Sequence, residues 1–448
     1  MAAPTRLIVA QRAAQPLEMI CARLRDWGCD LLDCSSHGAA VAALGGESPD
    51  MVLIDAWLEG GMTLLTQVKA DPHLRYLPVV IAAPEDAVAV AAHALALGAD
   101  DVLVLPIEDA ELFARVRALS RLASMEIERR RREAVLRQFG VTPPPEIPGV
   151  PAIDRIGILL VGPAGGDQIQ AMTALGGAAT AAYAETVESA LERLRRDDLD
   201  VALITGSRDH GDLRRLCAAI RADVDLFDLP VLLIGRPDAF PDRALPFDWG
   251  VSDVLFQPFQ PEVLRLRVQS WVRQQRLRRR LRGALDGSQL PPTTDRLTRL
   301  HGHGFLHGYV EHVIRANLRS QTPLALASFD VLGMGQINRL HGYATGDWIL
   351  AQLGGVIARI SRAEDLPARL GGDRFCLVID GGSREDAVIA GDRIASILAQ
   401  ASFDVGDGQR IGVTLATGSA ELEPGDSAAS LIGRAFAQLQ PFARRQAS

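Results

Sequence analysis

The chain contains two copies of one long segment. Residues 98–106 read GADDVLVLP and residues 250–258 read GVSDVLFQP, which places the copies 152 residues apart (250 − 98). The strings LPVVI at 77–81 and LPVLL at 229–233 have the same separation. The repeats of solenoid proteins are only ~20–50 residues long. The longer separation therefore indicates two domains of one kind, followed by a region that does not repeat.

Each copy alternates short apolar runs with helical patterns. Runs such as MVLI at 51–54 and VALI at 201–204 are typical of strands buried on both faces of a parallel sheet. The copies, at residues 5–122 and 154–274, resemble the receiver domains of response regulators. The resemblance implies a doubly wound, flavodoxin-like α/β fold with its site at the carboxyl ends of the strands.

Composition and charge narrow the class of protein. A chain of 448 residues, 48% hydrophobic and 23% charged, is long enough for about three globular domains. Its net charge of −8 argues against nucleic acid as a partner. The five cysteines have no CxxC spacing, so we expect reduced thiols in a cytoplasmic protein. No apolar run approaches the ~20 residues needed to cross a bilayer, so we expect no direct membrane insertion.

Boundaries between the domains follow from composition. A proline-rich stretch, TPPPEIP, begins at Thr142 and is expected to be extended and stiff. The predicted regions are a first receiver domain with its C-terminal helix at 1–140, a linker at 141–153, a second receiver-like adaptor domain at 154–285 and a third domain at 292–448.

Two arginine-rich stretches, 126–138 and 271–282, follow the two copies. Acidic and apolar residues interleave with the arginines, which favours extended last helices or coiled connectors with solvated arginines. A nucleic-acid patch is the alternative, and the acidic balance of the chain disfavours it.

The first receiver copy has lost most of the residues that phosphorylation needs. Phosphoryl transfer to an aspartate requires a divalent cation held by further carboxylates and a lysine that balances charge. Asp55 ends the third strand, at the acceptor position of the family. The partner positions carry other residues, namely Gln11, Arg12, Ala83 and Leu105. Asp55 thus remains a candidate phosphoacceptor, with Arg12 in place of a metal's charge, but an aspartate that caps the following turn is the favoured interpretation.

The second copy departs further from the family. Thr205 replaces the acceptor and Gln257 replaces the lysine. The glycine cluster GPAGGD at 162–167 lacks the Gly-Lys-Ser/Thr ending of a phosphate-binding P-loop, so we expect a simple βα turn. This copy is interpreted as an adaptor for dimerisation or partner docking.

The third domain contains two adjacent glycines between strand-like runs at 368–370 and 375–379. Such a pair suits a tight hairpin whose backbone can approach a phosphate. Residues 371–375 read GGDRF and residues 295–298 read DRLT, and from 292 onward the chain resembles the GGDEF domain of diguanylate cyclases. That resemblance implies a palm-like α/β fold. The fourth signature position is acidic in the family and is Arg374 here.

The resemblance also implies roles for single residues. Asp330 and Asp373 match the metal-associated carboxylates, and Asn338 and Asp347 match the residues that contact guanine. Several family positions carry other residues. The phosphate-binding lysine is Gly335, the early motif has Arg299, Gly302 and His303, and the C-terminal lysine and arginine fall at Ala443 and Ala447, near Arg444 and Arg445.

A cation at position 374 opposes Mg²⁺ in the neighbouring site. We therefore expect a domain that has no catalytic residues and does not turn over GTP. We expect no required cofactor and no metal site. Weak binding of GTP and of Mg²⁺ remains an alternative. The degenerate active-site positions are Asp330, Gly371, Gly372, Asp373 and Arg374.

A second motif, Arg362-x-x-Asp365, stands five residues before Gly371. In the frame of the resemblance it matches the product-binding inhibitory site of the cyclases, and Arg393 matches its secondary arginine. Cyclic di-GMP offers phosphates and guanine edges, which arginine forks recognise, and a carboxylate can accept a guanine N–H. The alternative is an exposed local ion pair of Arg362 and Asp365.

The third domain also contains a group of histidines and one cysteine. His301, His303, His307 and His312 stand close together with Glu311, a composition that can bind zinc. Their spacing favours surface histidines on a connecting helix. Cys376 follows the glycine turn and is expected in the core.

The favoured function is a cyclic di-GMP effector that binds its ligand at Arg362, Asp365 and Arg393 and recruits protein partners, as a homodimer. The resemblance to degenerate family members implies polar localisation and delivery of clients to a protease in cell-cycle control. One alternative is an active or residual diguanylate cyclase that makes cyclic di-GMP from two GTP under feedback inhibition. Another is a receiver scaffold that needs no ligand.

Overall fold

A computed structural model describes residues 5–12, 17–46, 49–142, 155–205, 210–223, 225–287, 293–404 and 410–442. The chain divides into two compact units. One contains both receiver domains, within Pro4–Glu126 and Ile147–Arg280. The other contains Ile127–Glu146 and Leu281–Ser448. From residue 143 on, the predicted linker lies outside the described residues, as do Ala443, Arg444, Arg445 and Ala447.

The first receiver domain is a parallel sheet of five strands in the order β2-β1-β3-β4-β5. Strands β1 and β3 are almost wholly apolar and buried, because helices cover both faces of the sheet. The elements in chain order are β1 (Arg6–Ala10), α1 (Glu18–Asp26), β2 (Asp30–Cys34), α2 (His37–Gly46), β3 (Met51–Asp55), α3 (Gly61–Ala70), β4 (Val79–Pro84), α4 (Val88–Ala96), β5 (Asp101–Leu105) and α5 (Asp109–Gln138).

The second receiver domain repeats this topology, with the sheet order β10-β9-β8-β6-β7. The predicted pair of doubly wound domains is confirmed. Its elements are β6 (Ile156–Val161), α6 (Gly166–Leu175), β7 (Ala179–Ala184), α7 (Val187–Arg196), β8 (Val201–Thr205), α8 (His210–Ala222), β9 (Val231–Gly235), α9 (Leu245–Asp248), β10 (Asp253–Phe256) and α10 (Pro261–Gly287).

The C-terminal domain has a mixed sheet in the order β11-β13-β14-β12-β17-β18. Its central strands β13, β14, β12 and β17 pair antiparallel, with an apolar cluster on each face. The elements are β11 (His301–Gly302), α11 (His303–Ser320), β12 (Leu324–Leu332), α12 (Met334–His341), α13 (Tyr343–Ile360), β13 (Leu366–Gly371), β14 (Arg374–Asp380), α14 (Arg384–Gln400), β15 (Ser402–Asp404), β16 (Arg410–Gly412), β17 (Thr414–Glu421), α15 (Ala428–Ala437) and β18 (Gln440–Pro441).

The last helices of the receivers, α5 and α10, are 30 and 27 residues long, which confirms their predicted extension. The predicted solvation of the arginines in 126–138 and 271–282 is wrong for Arg129, Arg132 and Arg278, which are buried. Arg115 and Arg267, which lie earlier in the same two helices, are buried as well. Carboxylates and carbonyl oxygens from distant parts of the chain surround several of them, which offsets the cost of removing a cation from water.

Arg115 shows this pairing inside the receiver unit. Its Nη1 lies 3.0 and 2.9 Å from the carboxylate oxygens of Asp101, and its Nη2 lies 2.5 Å from Asp253. Arg267, the equivalent of Arg115 in the second copy, lies 2.5 Å from Asp253 and 2.7 Å from Glu111. Although burial opposes its charge, the surrounding carboxylates raise the pKa of Arg115. The two domains thus meet through equivalent faces, joined by a buried charge network.

Replacing Arg115 by methionine leaves buried carboxylates without their cation. We expect a loss of ~3–5 kcal/mol in the free energy of unfolding of the receiver unit, because one partner of a buried ion pair remains uncompensated. Scanning calorimetry of the full chain measures the change. Arg117→Met, two residues along the same helix at an exposed position, is the control. Equal transition temperatures for the two variants would contradict the expectation.

Candidate functional site

The glycine turn of the C-terminal domain joins β13 to β14. Gly371 and Gly372 have φ angles of 124° and 60°, a backbone region that other residues adopt only with strain. Arg369 on β13 stabilises the turn by hydrogen bonds. Its Nε and Nη2 lie 3.1 and 2.7 Å from the carbonyl oxygen of Gly372, and its Nη1 lies 2.9 Å from Asp295. The predicted tight hairpin is therefore present. Arg369 was missed, because nothing in the sequence places Asp295 beside it.

The carboxylate of Asp330 faces a cation. Asp330 on β12 pairs with Arg374 on β14, and Arg374 Nε lies 3.9 Å from Asp330 Oδ2. Burial and the nearby Asp373 raise the pKa of Asp330, while Arg374 lowers it. The guanidinium also lies 5.7 Å from the ring centroid of Phe436. In this arrangement Arg374 supplies the positive charge that a metal ion would bring.

The charge beside these carboxylates opposes a divalent cation. Two carboxylates, Asp330 and Asp373, are available, and the next side chain in the turn is a cation that repels Mg²⁺. Within the part of the chain that the structure describes, no group of three His, Cys, Asp or Glu side chains could hold a metal.

Other positions that the family resemblance singles out lie before β11 and on α12 and α13. The Cβ that Gly346 lacks would lie 1.9 Å from Asn338 Oδ1, so Asn338 packs against α13 at Gly346, the residue before the exposed Asp347. Asn338 Oδ1 is buried and accepts no hydrogen bond from any described residue. Arg299 has a φ of 64°, a conformation that the glycine of related domains adopts without strain. Gly335 lies at an exposed position in the first turn of α12 and offers no cationic side chain to a phosphate.

The Arg362–Asp365 segment forms a compact turn between α13 and β13. The Asp365 N–H donates to the Arg362 carbonyl at 3.1 Å, and Asp365 Oδ2 accepts from the Arg362 N–H at 3.2 Å. Asp365 is 4% exposed, whereas the Arg362 side chain is exposed. The alternative of an exposed ion pair is wrong, since the carboxylate is buried and bonds to the backbone of Arg362.

Arg393 reaches the same turn from α14. Ser383 and Asp386 form a capping box that starts this helix, which holds Arg393 on the side facing the end of α13. Its Nη2 lies 3.1 Å from the carbonyl oxygen of Ile360. The structure thus brings Arg362 and Asp365, from one turn, near Arg393 on α14.

Burial makes the Asp365 carboxyl an unusually weak acid. It raises the pKa of the carboxyl to about 7, with Glu364 adding to the rise and Arg362 and Arg393 opposing it. Two exposed guanidinium groups therefore lie near one buried carboxyl whose pKa is about 7. Such a set can grip phosphate oxygens and accept an N–H donor.

The acceptor position of the first receiver is occupied by an ion pair. Asp55 is 2% exposed, and Arg12 Nε donates to its Oδ2 at 2.7 Å. Asp55 Oδ1 accepts from the Trp57 N–H at 3.1 Å, which is the predicted capping of the following turn. Ala83 and Leu105 lie at the ends of β4 and β5 and supply no polar group.

In the second receiver, Thr205 is buried and Gln257 Nε2 donates to Asp167 Oδ1 at 2.8 Å. The glycine cluster between β6 and α6 is the predicted βα turn.

The histidine cluster differs from its prediction in one member. His301 is fully buried in β11, and its ring stacks on Phe305 with centroids 4.3 Å apart. The prediction of a surface position is wrong for His301, because the ring packs as an aromatic side chain in the core. His303 and His307 lie on α11, with ring centroids 6.3 Å apart, and Glu311 accepts from the Ala428 N–H at 2.8 Å. Cys376 is buried, as predicted.

Among the described residues, no helix is long and apolar enough to span a membrane.

Two parts of the chain match known protein families. Residues 292–446 match the family model "Diguanylate cyclase, GGDEF domain", and residues 10–117 match "Response regulator receiver domain". The response regulator PleD of Caulobacter vibrioides is 30% identical over 406 residues, which cover 88% of this chain and 87% of PleD. Diguanylate cyclase A of Treponema denticola is 30% identical over 158 residues, which cover 34% of this chain and 42% of that protein.

Among solved structures, the GGDEF domain of DgcB from Caulobacter crescentus in complex with c-di-GMP is similar over 33% of this chain and 85% of that one, with 23% identity and a TM-score of 0.32.

Arg374→Glu exchanges the cation beside Asp330 for a carboxylate. We expect the variant to gain Mn²⁺ binding that the original chain lacks, because three acidic side chains then meet at the turn. Titration followed by electron paramagnetic resonance measures free Mn²⁺. Arg319→Glu, at an exposed position in the last turn of α11, makes the same charge change elsewhere. Equal Mn²⁺ binding by both variants would show that Arg374 does not block the site.

Proposed function

Because this chain belongs to the PleD-like response regulators, which carry receiver and GGDEF domains, we propose that it is a cyclic di-GMP effector without cyclase turnover. One contrast within the C-terminal domain carries the proposal. Arg374 pairs with the carboxylate that a catalytic metal would need, while Arg362, Asp365 and Arg393 converge on a single turn.

Loss of turnover follows from charge. Joining two GTP molecules needs metal ions and cationic side chains that neutralise a transferring phosphoryl group. Arg374 repels the metal, and Gly335 brings no cation to the phosphates. The positions of Ala443 and Ala447 likewise carry no charge in the sequence.

Ligand recognition follows from the chemistry of the turn. The exposed guanidinium groups of Arg362 and Arg393 can each present paired N–H donors to a phosphate or to the O6/N7 edge of guanine. Asp365, once ionised, can accept a guanine N–H. The solved GGDEF domain of DgcB is described as a complex with c-di-GMP, which supports the same ligand class here.

A residual, feedback-inhibited cyclase is the second candidate. The neighbouring carboxylates Asp330 and Asp373 favour it, because two carboxylates together with substrate phosphates can hold Mg²⁺. GTP turnover with Mg²⁺ that disappears in Asp373→Ala would establish the cyclase and overturn the effector proposal. A ligand-independent scaffold remains the third reading, and unchanged behaviour of Arg362→Gly in cells would favour it.

The proposal includes protein partners. Resemblance to PopA, a PleD-type regulator with a degenerate GGDEF domain, suggests a cytoplasmic homodimer that is recruited to a cell pole and delivers clients to a protease in cell-cycle control. A ligand can drive such recruitment only if it binds one geometry of the protein more tightly than another.

Removing Arg362 tests the ligand site directly. We expect Arg362→Ala to weaken cyclic di-GMP binding by ~10- to 100-fold, because a charge-assisted hydrogen bond contributes ~1.5–3 kcal/mol. Isothermal titration calorimetry measures the affinity, and a parallel assay follows GTP turnover. Arg319→Ala is the matched control for loss of one surface charge. The effector proposal fails if the unmodified chain does not bind cyclic di-GMP.

The raised pKa of Asp365 predicts that both stability and ligand binding depend on pH. Its pKa of about 7 in the folded chain lies above the ordinary value of 3.8, so its contribution to stability is complete below about pH 4 and is lost as pH rises through 7. The ligand needs the ionised form. We therefore expect binding to tighten as pH rises through 7, and to weaken by up to ~10-fold per pH unit below it.

Calorimetry between pH 6 and 8, in buffers of different ionisation enthalpy, measures both the affinity and the proton released on binding. Asp365→Asn is the control, and its affinity is expected to be lower and independent of pH. An affinity of the original chain that does not change over this range would contradict the role given to the carboxylate.

A further inference from the structure

The end of helix α5 is built into the C-terminal domain. Residues from Ile127 onward belong to the C-terminal unit, although the helix begins at Asp109 after the last strand of the first receiver. Val135 and Leu136 are fully buried in the same apolar cluster as residues of α11, β12, β13 and α15. This segment, residues 127–138, is called the docked segment below.

Two glycines on α11, Gly304 and Gly308, leave space for the docked segment and for Phe139, the residue that follows it. A Cβ added to Gly308 would lie 3.2 Å from the Phe139 ring, and one added to Gly304 would lie 4.0 Å from it. The Phe139 ring also lies 6.1 Å, centroid to centroid, from Phe305. The Gly304-x-x-x-Gly308 spacing places both glycines on one face of α11. The sequence of α11 therefore provides the space that the Phe139 ring occupies.

Polar contacts complete the docking. The hydroxyl of Tyr309 donates to Glu128, and both side chains are buried. Arg131 forms an ion pair with Asp380 at the end of β14. Burial raises the pKa of Glu128, although Arg132 and Tyr309 oppose that rise. The docked segment is thus held by buried charged and polar groups as well as by apolar packing.

Arg132 connects this segment to the candidate ligand site. It is 3% exposed, and its Nε donates to Glu128 at 2.5 Å. Its Nη2 donates to the carbonyl oxygens of Asp365 at 2.8 Å and of Ala363 at 3.3 Å. Both carbonyls belong to the Arg362–Asp365 turn. The guanidinium therefore binds the backbone that sets the direction of the Asp365 carboxylate, from the side opposite to solvent.

We propose that Arg132 is a positioning residue of the cyclic di-GMP site and that the docked segment senses the occupancy of that site. The inference rests on the proposed ligand-binding function. Arg132 is too deeply buried to touch the ligand, so it acts by holding the turn in its binding geometry. By thermodynamic reciprocity, a ligand that prefers this geometry stabilises the docked segment by the same factor by which docking tightens ligand binding. Because α5 is one continuous helix, a change in docking alters the helix that leaves the first receiver.

The test uses the full chain and three proteins: the original sequence, Arg132→Gln and Arg137→Gln. Arg137 lies on the same helix and is 63% exposed at its side chain, so it controls for loss of a charge. Hydrogen–deuterium exchange of the docked segment is measured with and without cyclic di-GMP, together with the affinity by calorimetry. Coupling free energies are typically 1–3 kcal/mol, so we expect Arg132→Gln to weaken binding by ~5- to 150-fold.

In the original chain and in Arg137→Gln, the ligand should slow exchange in residues 127–138. Arg132→Gln should lose this protection even at saturating ligand. Arg132→Lys keeps the charge beside Glu128 and should recover part of the protection, and it supplies the comparison if Arg132→Gln does not fold. The inference is overturned if Arg132→Gln binds and protects like Arg137→Gln. If the original chain binds no cyclic di-GMP, the proposed function fails instead, so the two failures are distinguishable.

Discussion

Buried arginines that are enclosed by oxygen atoms hold the long helices of this protein in place. Arg115 on α5 is surrounded by carboxylates of both receiver domains, and Arg132 on the same helix binds Glu128 and the carbonyls of the Arg362–Asp365 turn. Removing a guanidinium from water is costly unless its N–H groups find acceptors. Each of these arginines is therefore stable only when the surrounding elements place oxygen acceptors around it. The candidate ligand site depends on this arrangement, because Arg132 binds the carbonyls of its turn.

A guanidinium also pairs with a carboxylate at two further sites. In the first receiver, Arg12 donates to the acceptor-position Asp55, and in the C-terminal domain Arg374 faces Asp330. In both cases the positive charge of the guanidinium opposes a divalent cation beside the same carboxylate. Asp365, whose pKa is raised to about 7, and the exposed Arg362 and Arg393 are the groups on which the proposed ligand binding depends.

Much of the architecture could be predicted because its signals are local. The repeated apolar runs indicated two parallel sheets, and the adjacent glycines at 371 and 372 indicated the hairpin. The association of Arg362, Asp365 and Arg393 was predicted from a motif and its frame. The burial of arginines on α5 and α10, the core position of His301 and the role of Arg369 were not predicted, because each depends on a partner or a packing surface remote in sequence.

The sequence by itself determined which folds the chain adopts and which charges its turns carry, since strand periodicity, glycine spacing and single replacements such as Arg374 are properties of short segments. The tertiary structure alone decided which charges lose their water. Arg132 and Asp365 are separated by 233 residues, and Arg115 and Asp253 by 138. No local pattern distinguishes such an arginine from a solvated one. Only the packing of distant elements excludes water from it and turns its charge into a structural link.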